Sequence, residues 1–334
     1  MGGINLELYD ITIIGGGPVG LYTAFYAEMR QVKVKIIESL ESLGGQPAHL
    51  YPEKNIYDIP GFPSITGVEL TQNLAQQLER FETTIALGEK VTNIQKNSED
   101  VFEITTQKGI HYSKSVIIAI GNGAFSPRRL NLPEASLYEG QNLHYYVNNL
   151  SQFENKDVVI CGGGDSAVDW SLMLETIAKS VTLLHRRPQF RAMEHSVSLL
   201  EKSSVNVLTP YIPTKIIGDN HQLSAIEVSE VRGDSILQLP ADHFIVSYGF
   251  SSSIGNIKEW GIITQGNKIP VSNHYETNIP GIFAIGDIAT YEGKIDIIAT
   301  GFGEGPTAVG NAVAYFDPTS KRQHLHSTSL FEQQ

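Results

Sequence analysis

The sequence predicts an α/β protein that uses one strand–turn–helix–strand unit twice. Three observations predict it. A glycine string, Gly15-Gly16-Gly17-Pro18-Val19-Gly20, joins a strand pattern to a helix pattern. A second string, Gly162-Gly163-Gly164, recurs in the same context near the middle of the chain. The chain of 334 residues is also too long for one ordinary core and suggests two domains of roughly 100–200 residues each.

Residues 9–14 read as a first strand, 21–30 as a helix with apolar side chains at helical spacing, and 32–38 as a second strand. The Gly/Pro-rich stretch 44–67 reads as loop, 68–83 as helix, and 101–106 and 115–120 as strands. Gly121-Asn122-Gly123 is a strong breaker. The pattern then repeats as a strand at 157–161, a helix at 165–178 and a strand at 180–184. A later strand at 281–285 runs into Gly286-Asp287; residues 300–306 read as a Gly-rich turn, followed by a helix to 314.

Composition excludes several classes. No run of about 18 apolar residues exists, so no membrane-spanning helix is expected. The first motif begins so early that no signal peptide is expected, which implies a cytoplasmic protein. A net charge of −12 disfavours nonspecific nucleic-acid binding. Cys161 is the only cysteine, so an intramolecular disulfide and any dithiol mechanism are excluded.

The first string fits G-x-G-x-x-G. Gly15 permits the tight turn out of the strand, Gly17 lets a pyrophosphate approach the backbone, and Gly20 lets the helix pack on the strand. Free N–H groups and the positive end of the helix dipole favour phosphate there. Glu38 ends the second strand; its carboxylate can accept from ribose hydroxyls and would repel a 2′-phosphate. The second string, Gly162, Gly163 and Gly164 with Asp165, Ser166 and Ala167, fits G-x-G-x-x-A. Its second strand leads instead into His185-Arg186-Arg187, with Arg191 close behind. Guanidinium forks suit a 2′-phosphate. The acid-ended site therefore suits FAD and the Arg-ended site NADPH, a pairing that describes a hydride relay.

Together with Thr277-Asn278-Ile279-Pro280-Gly281-Ile282-Phe283-Ala284-Ile285-Gly286-Asp287, these motifs resemble the two-dinucleotide-domain flavoproteins, and most closely the thioredoxin-reductase branch. That branch carries C-x-x-C before its second glycine string. Here the stretch is Leu143-His144-Tyr145-Tyr146-Val147-Asn148-Asn149-Leu150, without cysteine. The chain is therefore similar to the thioredoxin-reductase-like ferredoxin–NADP(+) reductases, which lack the dithiol.

The resemblance implies two Rossmann-like three-layer (ββα) domains, an NADPH domain (121–245) inserted into an FAD domain (1–120 and 246–334). It implies a homodimer with ferredoxin or flavodoxin as electron partner. It assigns the flavin's ribityl chain to Asp287, the two isoalloxazine faces to Tyr51 and His326, and contacts with FAD to Gln46, Val91, Phe125 and Thr328. The residues alone leave open an NADPH diaphorase that reduces quinone or free flavin, and a flavin redox sensor without turnover.

Overall fold

The computed structural model describes residues 7–320 except 148 and 220, without the side chains at 124–126 and 252. The chain divides into two units, Met1–Phe125 with Ser252–Gln334, and Ser126–Ser251. The crossings thus fall at 125/126 and 251/252, against 120/121 and 245/246 read from the sequence.

In the first unit the parallel strands Thr84–Ala86, Val34–Ile37, Leu8–Ile14, Ile110–Ile118 and Ile282–Ala284 lie side by side. Strand side chains alternate between faces, and both faces here are apolar, as a parallel sheet covered on both sides requires. Ile11, Ile13, Ile36, Ile117 and Phe283 pack in one core with the helices Pro18–Met29, Gly67–Leu78 and Ile298–Phe316. Ile14, Ile37, Val116, Ile118 and Ile282 pack in a second core on the opposite face. That face is covered by an antiparallel meander of Val91–Lys96 and Phe102–Thr106, which continues into the start of Ile110–Ile118. The layers are helix, parallel sheet and meander.

The second unit repeats the scheme. Its five parallel strands run in the order Leu143–His144, His243–Ser247, Asp157–Gly162, Ser180–Leu184, Asn206–Leu208. The antiparallel strands Tyr211–Asp219, Gln222–Glu230 and Ile236–Pro240 cover one face. Val159, Cys161, Leu184 and Phe244 meet Ile216, Leu223, Ile226 and Val228 in the core between them. Both units are Rossmann-like.

Two sequence expectations change. The stretch 44–67 holds a short helix, Gly45–Leu50, and a two-stranded hairpin, Asn55–Ile56 with Ile65–Thr66. Thr66 then opens the next helix with a capping box: Glu69 N–H donates to its hydroxyl at 3.3 Å, and its own N–H donates to Glu69 at 3.0 Å. The turn expected at 300–306 is instead part of the helix Ile298–Phe316, which runs through Pro306. Glycine is tolerated there because bare backbone is what the packing demands. A Cβ on Gly301 would stand 2.3 Å from Val19 Cγ2, and one on Gly305 2.4 Å from the Thr23 hydroxyl. The helix approaches Pro18–Met29 at those two points, four residues apart on each partner.

A buried histidine pair joins two strands of the second unit. His144 Nε2 lies 3.0 Å from His243 Nδ1, and Phe153 presents its ring edge-on to both. Burial first, and then the neighbouring His243, pushes the His144 imidazole down to about 4 from its ordinary 6.5; burial also lowers His243. The stabilising contribution of neutral His144 is therefore complete above pH 6.5 and is lost as pH falls through about 4. Denaturant melts between pH 7 and 4 will show stability falling across this window, and His144→Gln will flatten the dependence.

Candidate dinucleotide sites

The first site is built at the turn from Leu8–Ile14 into Pro18–Met29. Gly15 has φ +111°, a backbone state costly for any other residue, and a Cβ there would stand 2.5 Å from the Ala119 carbonyl oxygen. A Cβ on Gly20 would stand 1.9 Å from the Gly15 carbonyl oxygen, so Gly20 is what lets the helix start against the strand. Gly17 differs. Nothing comes closer to its Cβ position than Gly45 Cα at 3.8 Å. It is the N-cap of a helix with Pro18 in its first turn, where unpaired N–H groups collect. Bare backbone beside open space at a helix N-terminus is the cradle a pyrophosphate needs.

A cavity of about 610 Å³ opens from this turn, and it brings together Gly15, Gly17, Glu38, Gln46, Tyr51, Val91 and Asp287. Glu38 is 6% exposed. Its Oε2 accepts from Gly16 N–H at 2.7 Å and its Oε1 from Leu40 N–H at 2.8 Å, which ties the second strand's end to the phosphate turn. Gly45 packs on Gly17, and a Cβ there would stand 2.9 Å from Gly17 Cα; this approach carries the following Gln46 to the cavity wall. Asp287 sits in the tight turn Gly286–Ile288, and Asn122 Nδ2 donates to its Oδ2 at 3.2 Å. Burial first, and then the nearby Asp296 charge, raises the Asp287 carboxyl above the usual carboxylate range. Burial, with the Asp287 charge next in importance, pushes the Tyr51 phenol up to about 12, so it stays protonated at any physiological pH.

The second site repeats the turn from Asp157–Gly162 into Asp165–Leu174. A Cβ on Gly162 would stand 2.5 Å from the Ser247 carbonyl oxygen and 2.9 Å from Ala167 Cβ. Gly162 and the fully buried Ala167 are thus packing positions. Gly164, the N-cap, has nothing within 4 Å of its Cβ position, a space still more open than at Gly17. The arginine loop is tied to this turn: Arg191 N–H donates to the Gly163 carbonyl at 2.6 Å, and Met193 N–H donates to Asp165 Oδ1 at 2.9 Å. Asp165 therefore anchors the loop, while Ser166 is exposed beside it. Burial first lowers the His185 imidazole; a backbone hydrogen bond with Gln189 opposes this, and the charges of Arg186, Arg187 and Arg191 lower it further, all three arginines being exposed on the loop that follows this strand. Cys161 lies beneath the turn. Its thiol, 3.3 Å from the Tyr248 hydroxyl, is pushed up to about 12 by complete burial.

His326 and Thr328 lie outside the described residues, and so does the side chain of Phe125, whose backbone belongs to the strand Ala124–Pro127. Sequence reasoning missed Asn122, Lys90 and Trp260. Asn122 carried a signal, since it sits inside the Gly-Asn-Gly breaker. Trp260 carried none; it lines the cavity from a short 3₁₀ turn, with its indole N–H on the Thr92 carbonyl at 2.8 Å.

Two Rossmann-like units in one chain, each with an open N-cap glycine at its strand–helix turn, define a two-dinucleotide oxidoreductase. The profile of the pyridine nucleotide-disulphide oxidoreductases matches residues 9–314, and the chain belongs to that family. It is 58% identical to the ferredoxin–NADP reductase 2 of Listeria innocua over 326 residues, 98% of each chain. It is 54% identical to the ferredoxin–NADP reductase of Enterococcus faecalis, over 98% of this chain and 97% of that one. Among solved structures, Lactococcus lactis thioredoxin reductase is similar with a TM-score of 0.77 at 30% identity, covering 92% of this chain and 99% of that one. Thioredoxin reductase of T. acidophilum gives 0.79 at 25%, covering 94% and 99%.

The glycines separate fold from ligand. Gly17→Ala will cost the apoprotein at most about 1 kcal/mol, the N-cap preference for glycine, while weakening dinucleotide uptake at the first site. Gly20→Ala will cost about 3 kcal/mol, because the clash is with backbone. Thermal melts and ligand titration of both variants check the contrast.

Proposed function

We propose that the chain is a ferredoxin–NADP(+) reductase that holds FAD in its first unit and NADP(H) in its second. The observation that carries this is the opposite charge at corresponding strand ends. Glu38 presents a buried carboxylate where a bare ribose is wanted, and Arg186, Arg187 and Arg191 stand exposed just past the corresponding strand, where an extra phosphate is wanted. Relatives at 54–58% identity over nearly the whole chain bear that name. A single cysteine supports an electron route without an enzyme dithiol.

When bound, FAD accepts a hydride from NADPH and hands electrons singly to ferredoxin or flavodoxin. The chain's own residues bind and orient. The open N-caps at Gly17 and Gly164 receive the pyrophosphates, and Asp287 holds the ribityl hydroxyls. Asp165 holds the arginine loop in register with the phosphate turn. Tyr51, kept as a neutral phenol, covers one face of the isoalloxazine without adding charge. By the family resemblance, Gln46, Val91 and Phe125 line the flavin, and a C-terminal segment with His326 and Thr328 covers the other face. The reading includes a cytoplasmic homodimer.

Replacing Arg186 and Arg187 together by Ala will raise KM for NADPH by at least about tenfold and leave KM for NADH nearly unchanged, since each charged phosphate contact contributes more than 1 kcal/mol. Equal effects on the two substrates would refute the phosphate assignment. Anaerobic stopped-flow mixing with NADPH, then with ferredoxin or with menadione alone, tests the acceptor. Rapid flavin bleaching followed by reoxidation only with the quinone would identify a diaphorase instead.

A further inference from the structure

Glu304 is 1% exposed, in the middle of the helix Ile298–Phe316, and no step above uses it. A buried carboxylate is costly unless it is paired with a cation and hydrogen-bonded at both oxygens. Glu304 meets that condition. Its Oε2 accepts from Gly286 N–H at 2.6 Å; its Oε1 accepts from the Tyr291 hydroxyl at 2.7 Å and from Lys294, whose side chain is itself only 4% exposed. Gly286 is the residue immediately before Asp287 and has φ +70°. A Cβ on Gly301, one helical turn before Glu304, would stand 3.4 Å from Gly286 Cα. The helix thus seats against the Gly286–Ile288 turn and grips it through one charge-assisted hydrogen bond.

We propose that Glu304 is a positioning residue of the flavin site, which fixes the Gly286–Ile288 turn so that Asp287 faces the cavity in one orientation. The proposal rests on the assignment of FAD to the first unit. Lys294 balances the carboxylate's charge, Tyr291 donates a hydrogen bond to it, and the Gly286 N–H is the point through which it acts on Asp287. The ordering of Asp287 is then completed before the ligand arrives, which spares the ligand that cost.

Two neutral replacements separate this role from the stability of a buried ion pair. In Glu304→Gln/Lys294→Met an amide oxygen still accepts from Gly286; in Glu304→Leu/Lys294→Met nothing does, and neither leaves an unpaired charge. FAD dissociation constants of the deflavinated full-length chains are read by fluorescence titration, alongside thermal melts. The Gln/Met chain is expected within about threefold of wild type, and the Leu/Met chain about 30-fold weaker, the size of one lost hydrogen bond to a charged group. In an Asp287→Asn background the gap between the two is expected to shrink below about threefold, because coupled residues are not additive. Equal FAD affinity of the two pairs, or a gap that survives Asp287→Asn, overturns the proposal. If the Leu/Met chain does not fold, Glu304→Asp, whose shorter arm cannot reach Gly286, replaces it in the same comparison. A wild-type chain that takes up no FAD overturns the FAD assignment as well.

Discussion

Both candidate dinucleotide sites depend on how closely a helix can start against the end of a buried parallel strand. At that junction the backbone must turn sharply, pack, and leave N–H groups open, all within six residues. One glycine is needed for the turn, a small residue for the packing and one glycine for the open space. In the first unit these are Gly15, Gly20 and Gly17; in the second, Gly162 and Ala167 share the packing and Gly164 keeps the space. The apolar strands that flank the turn give it a rigid base, since their side chains are locked in cores on both faces. The site is therefore a by-product of the packing rather than an ornament on it.

The same logic reaches the C-terminal helix. Ile298–Phe316 is separated from the phosphate turn by most of the sequence, yet Gly301 and Gly305 let it lie against Val19 and Thr23 of the first helix. Its buried stripe continues through Ala308, Val309, Ala312 and Val313. The helix that opens at Gly17 and the turn that carries Asp287 are thereby referenced to one another through a single interface.

Much of this was legible in the sequence. The glycine strings fix two strand–helix turns by steric need alone, and Glu38 and the arginines follow at the distance one strand allows. The glycines at 301, 303 and 305 misled, because composition marks them as a breaker while tertiary packing makes them a helix face. Asn122, Trp260 and Glu304 were harder. Asn122 and Trp260 hydrogen-bond to partners 165 and 168 positions away, and no local pattern records a partner at that range. Glu304 reaches a nearer partner, 18 positions back, but across a turn whose shape the sequence does not give.

The lone cysteine has a chemical consequence. Peroxide, electrophiles and mixed disulfides attack the ionised sulfur, and at Cys161 that form is suppressed by total burial and a shift to about 12. The chain thus offers oxidants no sulfenic acid to form at a working site. Redox cargo of either electron number can pass through cofactors held by this scaffold without a sulfur relay to poison.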